Sequence, residues 1–291
     1  RSTLFPYTTL FRSEPFRSEG SLMLAHREDL GAAQRVLERL RTACETQAWQ
    51  NLSPPEGVQP LELARLRELE PALQGPAHAW LLPGEGQLDA VAMMMALHDD
   101  SPGAQWHWSR PVRCVEENGT LHFADGGQAA FDAVIDTRGV GAQASRQGAC
   151  ASASPVFDVR GVRGEVIWLQ APAHGLTRLT RLLHPRHGVY IVPRSPDLLL
   201  IGASELETED RSPASLRSTV ELLAAAHSAM PALAEARILR LDVNLRPALP
   251  DNNPYTEWRG RCLRINGLFR HGWLLAPALT EQAMQLTGWL K

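Results

Sequence analysis

The sequence predicts an α/β or α+β chain with at least one large antiparallel sheet. Three observations carry this. Residues 106–138 break into three apolar runs separated by the turn residues Asn118-Gly119 and Asp125-Gly126-Gly127. A second strand-rich block runs through "VRGEVIWLQAP", "LTRLLHPRHGVYIVPRSPD", "LLLIGASELE" and "ARILRLDVNLRPALPDN". Between and around these blocks stand segments with helical apolar spacing and charged outer faces.

Taken in order, "EGSLMLAH" (19–26) reads as a short strand and "REDLGAAQRVLERLRTAC" as an amphipathic helix with Leu30, Val36, Leu37 and Leu40 on one face. "SPPEGVQP" is a loop by its prolines and glycine, and "LELARLRELEPAL" is a helix ended at Pro71. "AHAWLLPGEGQLD" is strand then turn, with Asp89 placed to cap the helix "AVAMMMALH". Its three consecutive methionines cannot share one helical face, so they are expected to pack in a core. Farther on, Ser212 is the expected cap of the helix "SPASLRSTVELLAAAHSAMP". The chain closes on a strand, a turn and a final helix in "CLRINGLFRHGWLLAPALTEQAMQLTGWL".

Bulk properties narrow the function classes. The 291 residues are 44% hydrophobic and 21% charged, enough for a sizeable core in one large or two ordinary domains. A net charge of −3 gives no basic excess for nucleic acid. No apolar run reaches membrane-spanning length. Cys44, Cys114, Cys150 and Cys262 show no CxxC or metal-type spacing, which fits a reducing cytoplasm with no disulfide framework.

The first residues read differently. "TLFPYTTLFRS", Thr3–Ser13, lacks the apolar core of a signal peptide and carries Pro6 where a strand needs a donor. Back-translated, it permits a common short-read sequencing adapter, and Arg1-Ser2 repeats its ending Arg12-Ser13. Residues 1–13 are therefore expected to be artefactual, with the authentic chain starting near Glu14.

No catalytic dyad or metal site stands out. His184 and His187 in "HPRH" read as loop histidines, and the acidic run "ELETED" (Glu205–Asp210) as a solvated turn before a helix. "GVGAQA" (Gly139–Ala144) is a weak match to a dinucleotide fingerprint, because a poor helix follows and no acid stands at the right distance. Two arginines are conspicuous: Arg246 after an alternating strand, and Arg270 among apolar residues. A guanidinium in such a setting needs a partner, either an internal carboxylate or the carboxylate of a bound ligand.

Together, "FDAVIDTRGVGA", "VRGEVIWLQAP", "VYIVPR…LLLIGASE", "LRPALPDN" and "INGLFRHGWLLAPAL" resemble the FAD-dependent amino acid oxidases of the D-amino acid oxidase superfamily, most closely the glycine oxidases of thiamine biosynthesis. The resemblance spans about residues 16–288 and implies a Rossmann-like FAD-binding domain interleaved with an antiparallel-sheet substrate domain. By that reading the first βαβ unit, with its phosphate loop, lies upstream of the junction. Residues 14–87 are mainly substrate domain, 88–150 FAD-binding, 151–245 substrate domain and 246–291 FAD-binding.

Site residues follow from the same resemblance. Arg246 matches the arginine that grips the substrate carboxylate, Tyr190 adds its hydroxyl, and Arg270 matches a pocket arginine beside the flavin. Arg270, His271, Gly272, Trp273 and Leu274 would run under the flavin's polar edge. Val112 would meet the adenosine half, and Gly139 and Gly141 would lie near the flavin and its phosphates. Two positions depart from the family: Gly188, where relatives often place a larger polar residue, and Glu205, where some carry Met. The implied reaction oxidises glycine or a small amino acid by hydride transfer to the flavin, giving an imine and then a 2-oxo acid, ammonia and hydrogen peroxide, within thiazole formation. Oxygen is the expected electron acceptor, no metal, nucleic acid or membrane partner is expected, and homo-oligomerisation stays open. Three alternatives stand beside this: an oxidase or dehydrogenase for other D-amino or N-methyl amino acids, a non-catalytic fragment that does not hold FAD, and a pure binding module.

Overall fold

A computed structural model describes residues 16–45, 57–147, 158–184 and 188–290. The adapter-like segment, Cys150 and His187 lie outside them, as does the side chain of Cys44. In chain order the elements are β1 (Phe16–Arg17), β2 (Ser21–Ala25), α1 (Leu30–Glu45), β3 (Gln59–Leu61), α2 (Leu63–Leu69), β4 (His78–Leu82), β5 (Gln87–Leu88) and α3 (Ala90–Asp99). Then come β6 (Val112–Val115), β7 (Thr120–Phe123), β8 (Gln128–Ala130), β9 (Val134–Asp136), β10 (Arg160–Gln170), β11 (Leu179–Leu183), β12 (Gly188–Ser195) and β13 (Leu198–Gly202). The chain ends with α4 (Leu216–Ala229), β14 (Arg237–Ala248), β15 (Tyr255–Arg259), β16 (Cys262–Asn266) and α5 (Gly272–Thr287).

The chain divides into two compact units. The first takes residues up to Pro102, Glu165–Ser204 and Pro213–Val243; the second takes Gly103–Gly164, Glu205–Ser212 and Asn244 onward. The family resemblance puts the borders at 88, 151 and 246. Residues 88–102 sit with the first unit because β5 pairs with β1 and Leu88 O accepts Arg194 Nη1 at 2.7 Å. Residues 205–212 sit with the second, held by the arginine contacts described below.

The first unit is built on an eight-stranded sheet in the order β14-β10-β13-β12-β11-β2-β4-β3. Only β11 and β2 run parallel among its registered pairs. Alternation puts Leu22, Leu24, Leu182, Val189, Ile191, Leu199 and Ile201 on one face, where they join Leu66, Leu73, Leu222 and Met230 in a single core. Glu70 is wholly buried at the end of α2. It accepts from Thr177 N at 2.9 Å, Thr177 Oγ1 at 2.6 Å, and Arg178 N and Nη1 at 3.0 Å each. Four donors around one carboxylate repay its desolvation.

The second unit has an antiparallel β6-β7-β8 sheet and a β15-β16-β9 sheet in which β16 and β9 are parallel. Its apolar packing is smaller: Val115, Val134 and Cys262 form one cluster, Leu263, Ile265 and Ala283 another.

Several expectations are corrected. Ser215, not Ser212, caps α4, its hydroxyl accepting from Ser218 N at 3.1 Å; Ser212 instead donates to Asp210. Asp89 caps α3 as expected, taking Val91 N and Ala92 N at 3.0 Å. The methionines of α3 are not core, however: none of the helix's residues is buried, and Met94 and Met95 are exposed. Apolar composition without a polar face does not by itself supply a partner surface. The cysteines also differ from expectation. Cys262 is a buried free thiol, but Cys114 is disulfide-bonded. Pairing depends on which Cα atoms the fold brings within reach, which spacing in sequence does not reveal.

Candidate active site

The second unit gathers most of the predicted residues around the end of β14. Pro247 O accepts Phe269 N at 2.9 Å, which fixes the segment carrying Arg246 directly against the segment carrying Arg270. Phe269 adopts φ 48° after Gly267 at φ 77°, a tight reversal between β16 and α5. Gly139, at φ 56°, lies against Pro247, and its carbonyl accepts Asn266 Nδ2 at 3.0 Å. Gly141 N closes the same turn onto Arg138 O at 2.9 Å. Three segments distant in sequence thus share one locality.

The half-buried Arg246 guanidinium lies over Gly164, where any Cβ would overlap it, and its Nη1 approaches Arg163 O at 3.4 Å. That carbonyl also accepts Leu206 N at 3.0 Å. One residue earlier, Glu205 Oε2 accepts Arg270 Nη1 at 2.8 Å. The run Glu205–Asp210 is exposed, as expected of a solvated turn, and its carboxylates also contact neighbouring segments. Glu207 pairs with Arg160, Glu209 accepts Gly161 N at 2.7 Å and Gln143 Nε2 at 2.6 Å, and Asp210 pairs with Arg163 at 3.3 Å. The Arg160 contact holds the Glu207 carboxyl below its usual range, and the Gly161 amide does so for Glu209.

Helix α5 begins at Gly272 with His271 as N-cap, and no side chain caps it. The first-turn amides of Gly272, Trp273 and Leu274 have no partner within the helix and carry the positive end of its dipole. Trp273 and Leu274 are exposed. Val112 opens β6, and its carbonyl accepts Arg138 Nη1 at 3.2 Å; Arg138 is itself clamped on Asp136 by two bonds of 2.8 Å.

In the first unit, Tyr190 stands on β12 opposite Gly202 and Arg181. A Cβ on Gly202 would come within 2.6 Å of the phenol oxygen, so glycine makes the room the ring occupies. Two residues past the core position Val192, Arg194 keeps Nε buried without a hydrogen-bond partner. Burial pulls its guanidinium below the ordinary value, Asp89 and Tyr190 oppose that pull, and Arg17 adds to it.

Sequence reasoning missed Gly164, Gly202 and the contacts of the 205–210 run. The signal available was a glycine inside a strand, which marks a close approach of another group.

This fold and locality belong to a known class. The profile of the family described as FAD dependent oxidoreductase (DAO) matches residues 9–286. The chain is 36% identical over 264 residues to a putative thiamine biosynthesis oxidoreductase ThiO of Rhizobium etli, covering 90% of this chain and 70% of that protein. It is 31% identical over 268 residues to a glycine oxidase of Geobacillus kaustophilus, covering 86% of this chain and 68% of that protein. The crystal structure of glycine oxidase from Geobacillus kaustophilus superimposes with a TM-score of 0.75 at 28% identity, over 95% of this chain and 72% of that one. The chain belongs to the DAO family of FAD-dependent oxidoreductases, and FAD is the cofactor of that family.

The second unit suits one end of that cofactor. Three uncapped amides at a positive helix terminus match the electron-rich carbonyl edge of the flavin ring, which gains negative charge on reduction. The diphosphate is a different matter. "GVGAQA" falls in a 3-10 segment, Gly139–Gln147, so the described residues place no glycine loop at an α-helix start in the manner of a phosphate cradle.

Proposed function

We propose that the protein oxidises glycine or a similarly small amino acid, releasing an imine that hydrolyses to 2-oxo acid and ammonia while oxygen is reduced to hydrogen peroxide. The observation that carries this reading is Arg246, a half-buried guanidinium seated over a glycine and fixed by the Pro247–Phe269 bond beside the uncapped start of α5. A planar guanidinium, whose N–H groups donate in a fixed fork, is a natural partner for a carboxylate. FAD, when bound, supplies the hydride acceptor that side chains lack.

The chain's own work is then orientation. Arg246 holds the substrate carboxylate, and the same reading assigns the Tyr190 hydroxyl to the substrate. The amides of Gly272, Trp273 and Leu274 hold the ring's carbonyl edge, with Arg270 and His271 completing that segment. Val112, Gly139 and Gly141 are assigned to the rest of the cofactor. No acid–base dyad is required, since the amine's own lone pair assists loss of the α-hydrogen. The likeness to ThiO supports a role in thiamine biosynthesis, in the cytoplasm. Among the described residues no helix is long and apolar enough to cross a membrane.

Arg246→Ala tests the assignment. Losing a charge-assisted, bidentate contact should raise KM for glycine by about 100-fold with FAD binding, read by flavin absorbance, retained. Unchanged glycine kinetics would reject the assignment.

A further inference from the structure

The eight-stranded sheet of the first unit has two edges of opposite character. At one end stands β3, three residues long and carrying Pro60, which has no amide to donate. Shortness and proline are two ways in which a sheet edge is blunted against further pairing. At the other end stands β14, twelve residues long, and its part within this unit, Arg237–Val243, contains no proline. Along that part no described strand pairs with the outer edge. Ile238, Leu239 and Leu241 stand on it, each exposed by 40% or more. A long, apolar, proline-free edge is a template for one more strand.

The charges on β14 decide which strand fits. Arg240 and Asp242 share one face, where both meet Trp168. The indole Nε1 donates to Asp242 Oδ2 at 2.8 Å, and the Arg240 guanidinium lies 4.7 Å from the centre of the ring. An ion pair of 3.0 Å joins Arg240 to the same Oδ2. Cation and carboxylate are thus held two residues apart on a partly exposed edge. Two copies of this strand, run antiparallel about a two-fold axis at Leu241, match at every position. Each Arg240 stands opposite the second copy's Asp242, Leu241 opposes itself, and Leu239 opposes Val243. Opposite charges face each other on both sides of the axis, and apolar residues fill the other face. Moving the axis to Arg240 would set two guanidiniums face to face.

We propose that β14 is a self-complementary interaction surface: a second copy of this chain adds its own β14 antiparallel about Leu241. The two eight-stranded sheets then continue into one, and the contact is isologous. The inference is independent of the reaction proposed above.

The test uses the full chain and two charge reversals. Wild-type protein should sediment as a dimer. Arg240→Asp leaves two carboxylates on the edge and Asp242→Arg leaves two guanidiniums, so each variant alone meets like charge and its dimer should weaken about 100-fold. Mixed in equal amounts, the two variants are complementary again and should sediment as a dimer. Loss of a contact inside one chain cannot produce that rescue. Should either variant fail to fold, Leu241→Cys reads the register by itself. A residue on the axis meets its own copy within disulfide reach and should cross-link under mild oxidation, whereas Leu239→Cys, opposed to Val243, should not. A monomeric wild-type chain overturns the proposal and leaves the edge to a different strand. Dimers that persist in each variant alone, variants that do not recover on mixing, or equal cross-linking at 239 and 241 overturn it as well.

Discussion

The two units lodge their stability in different places. The eight-stranded unit concentrates it in one continuous core and in a buried carboxylate, Glu70, whose four donors lie more than 100 residues away in sequence. The second unit has two small apolar clusters and leaves large side chains such as Trp108 and Leu274 exposed, at 74% and 77%. It is held to a greater extent by turns, glycines and ion pairs between segments. The contrast teaches that good packing and candidate chemistry need not coincide: the unit with the weaker core carries Arg246 and the Glu205–Arg270 pair.

The most forceful way to break this comparison is at Glu70. Glu70→Ala removes the shared partner of a part-buried guanidinium, two amides and a hydroxyl, and should cost about 3 kcal/mol in urea unfolding. A loss under about 1 kcal/mol would mean the first unit does not depend on its buried carboxylate. A smaller effect on stability, but a larger one on binding, is expected from Gly164→Ala in the second unit. Its methyl would displace the Arg246 guanidinium, so KM for glycine should rise at least tenfold while stability changes by about 1 kcal/mol. Normal KM with normal folding would show that the seat over Gly164 is incidental. The mildest test concerns Cys262, whose thiol burial pushes up from 9.0 to about 11. The unfolded chain releases this proton near 9.0 and the native chain near 11, so the contribution is intact below pH 9 and is lost as pH rises through that window. At pH 8 iodoacetamide should leave Cys262 unmodified in native protein and label it in urea, as read by peptide mass. Rapid native labelling would show that even the larger strands of the second unit open readily.

Much of this architecture was legible beforehand because its signals are local. Apolar, strand-like runs marked the region from β10 to β13, and Asp89 before an apolar run marked the start of α3. Arg246 and Arg270 stood out because a guanidinium among apolar residues demands explanation. What stayed hidden depends on pairing across the chain. The run Glu205–Asp210 looks like any solvated acidic turn until the arginines at 160, 163 and 270 are brought to it. Ser212 and Ser215 are equally plausible caps by residue type, and only the turn that Asp210 makes with Ser212 decides between them. The methionines of α3 show the converse: composition indicated burial, and no described element covers them.

The glycines at 164 and 202 are moulds. Each records in backbone the outline of a side chain supplied from elsewhere, a guanidinium in one case and a phenol in the other. A chain of this family that keeps Arg246 and Tyr190 but carries a larger residue at either glycine would retain the letters of the motif without the posture. Relatives are therefore better sorted by the two pairings, 164 with 246 and 202 with 190, than by the arginine and tyrosine alone.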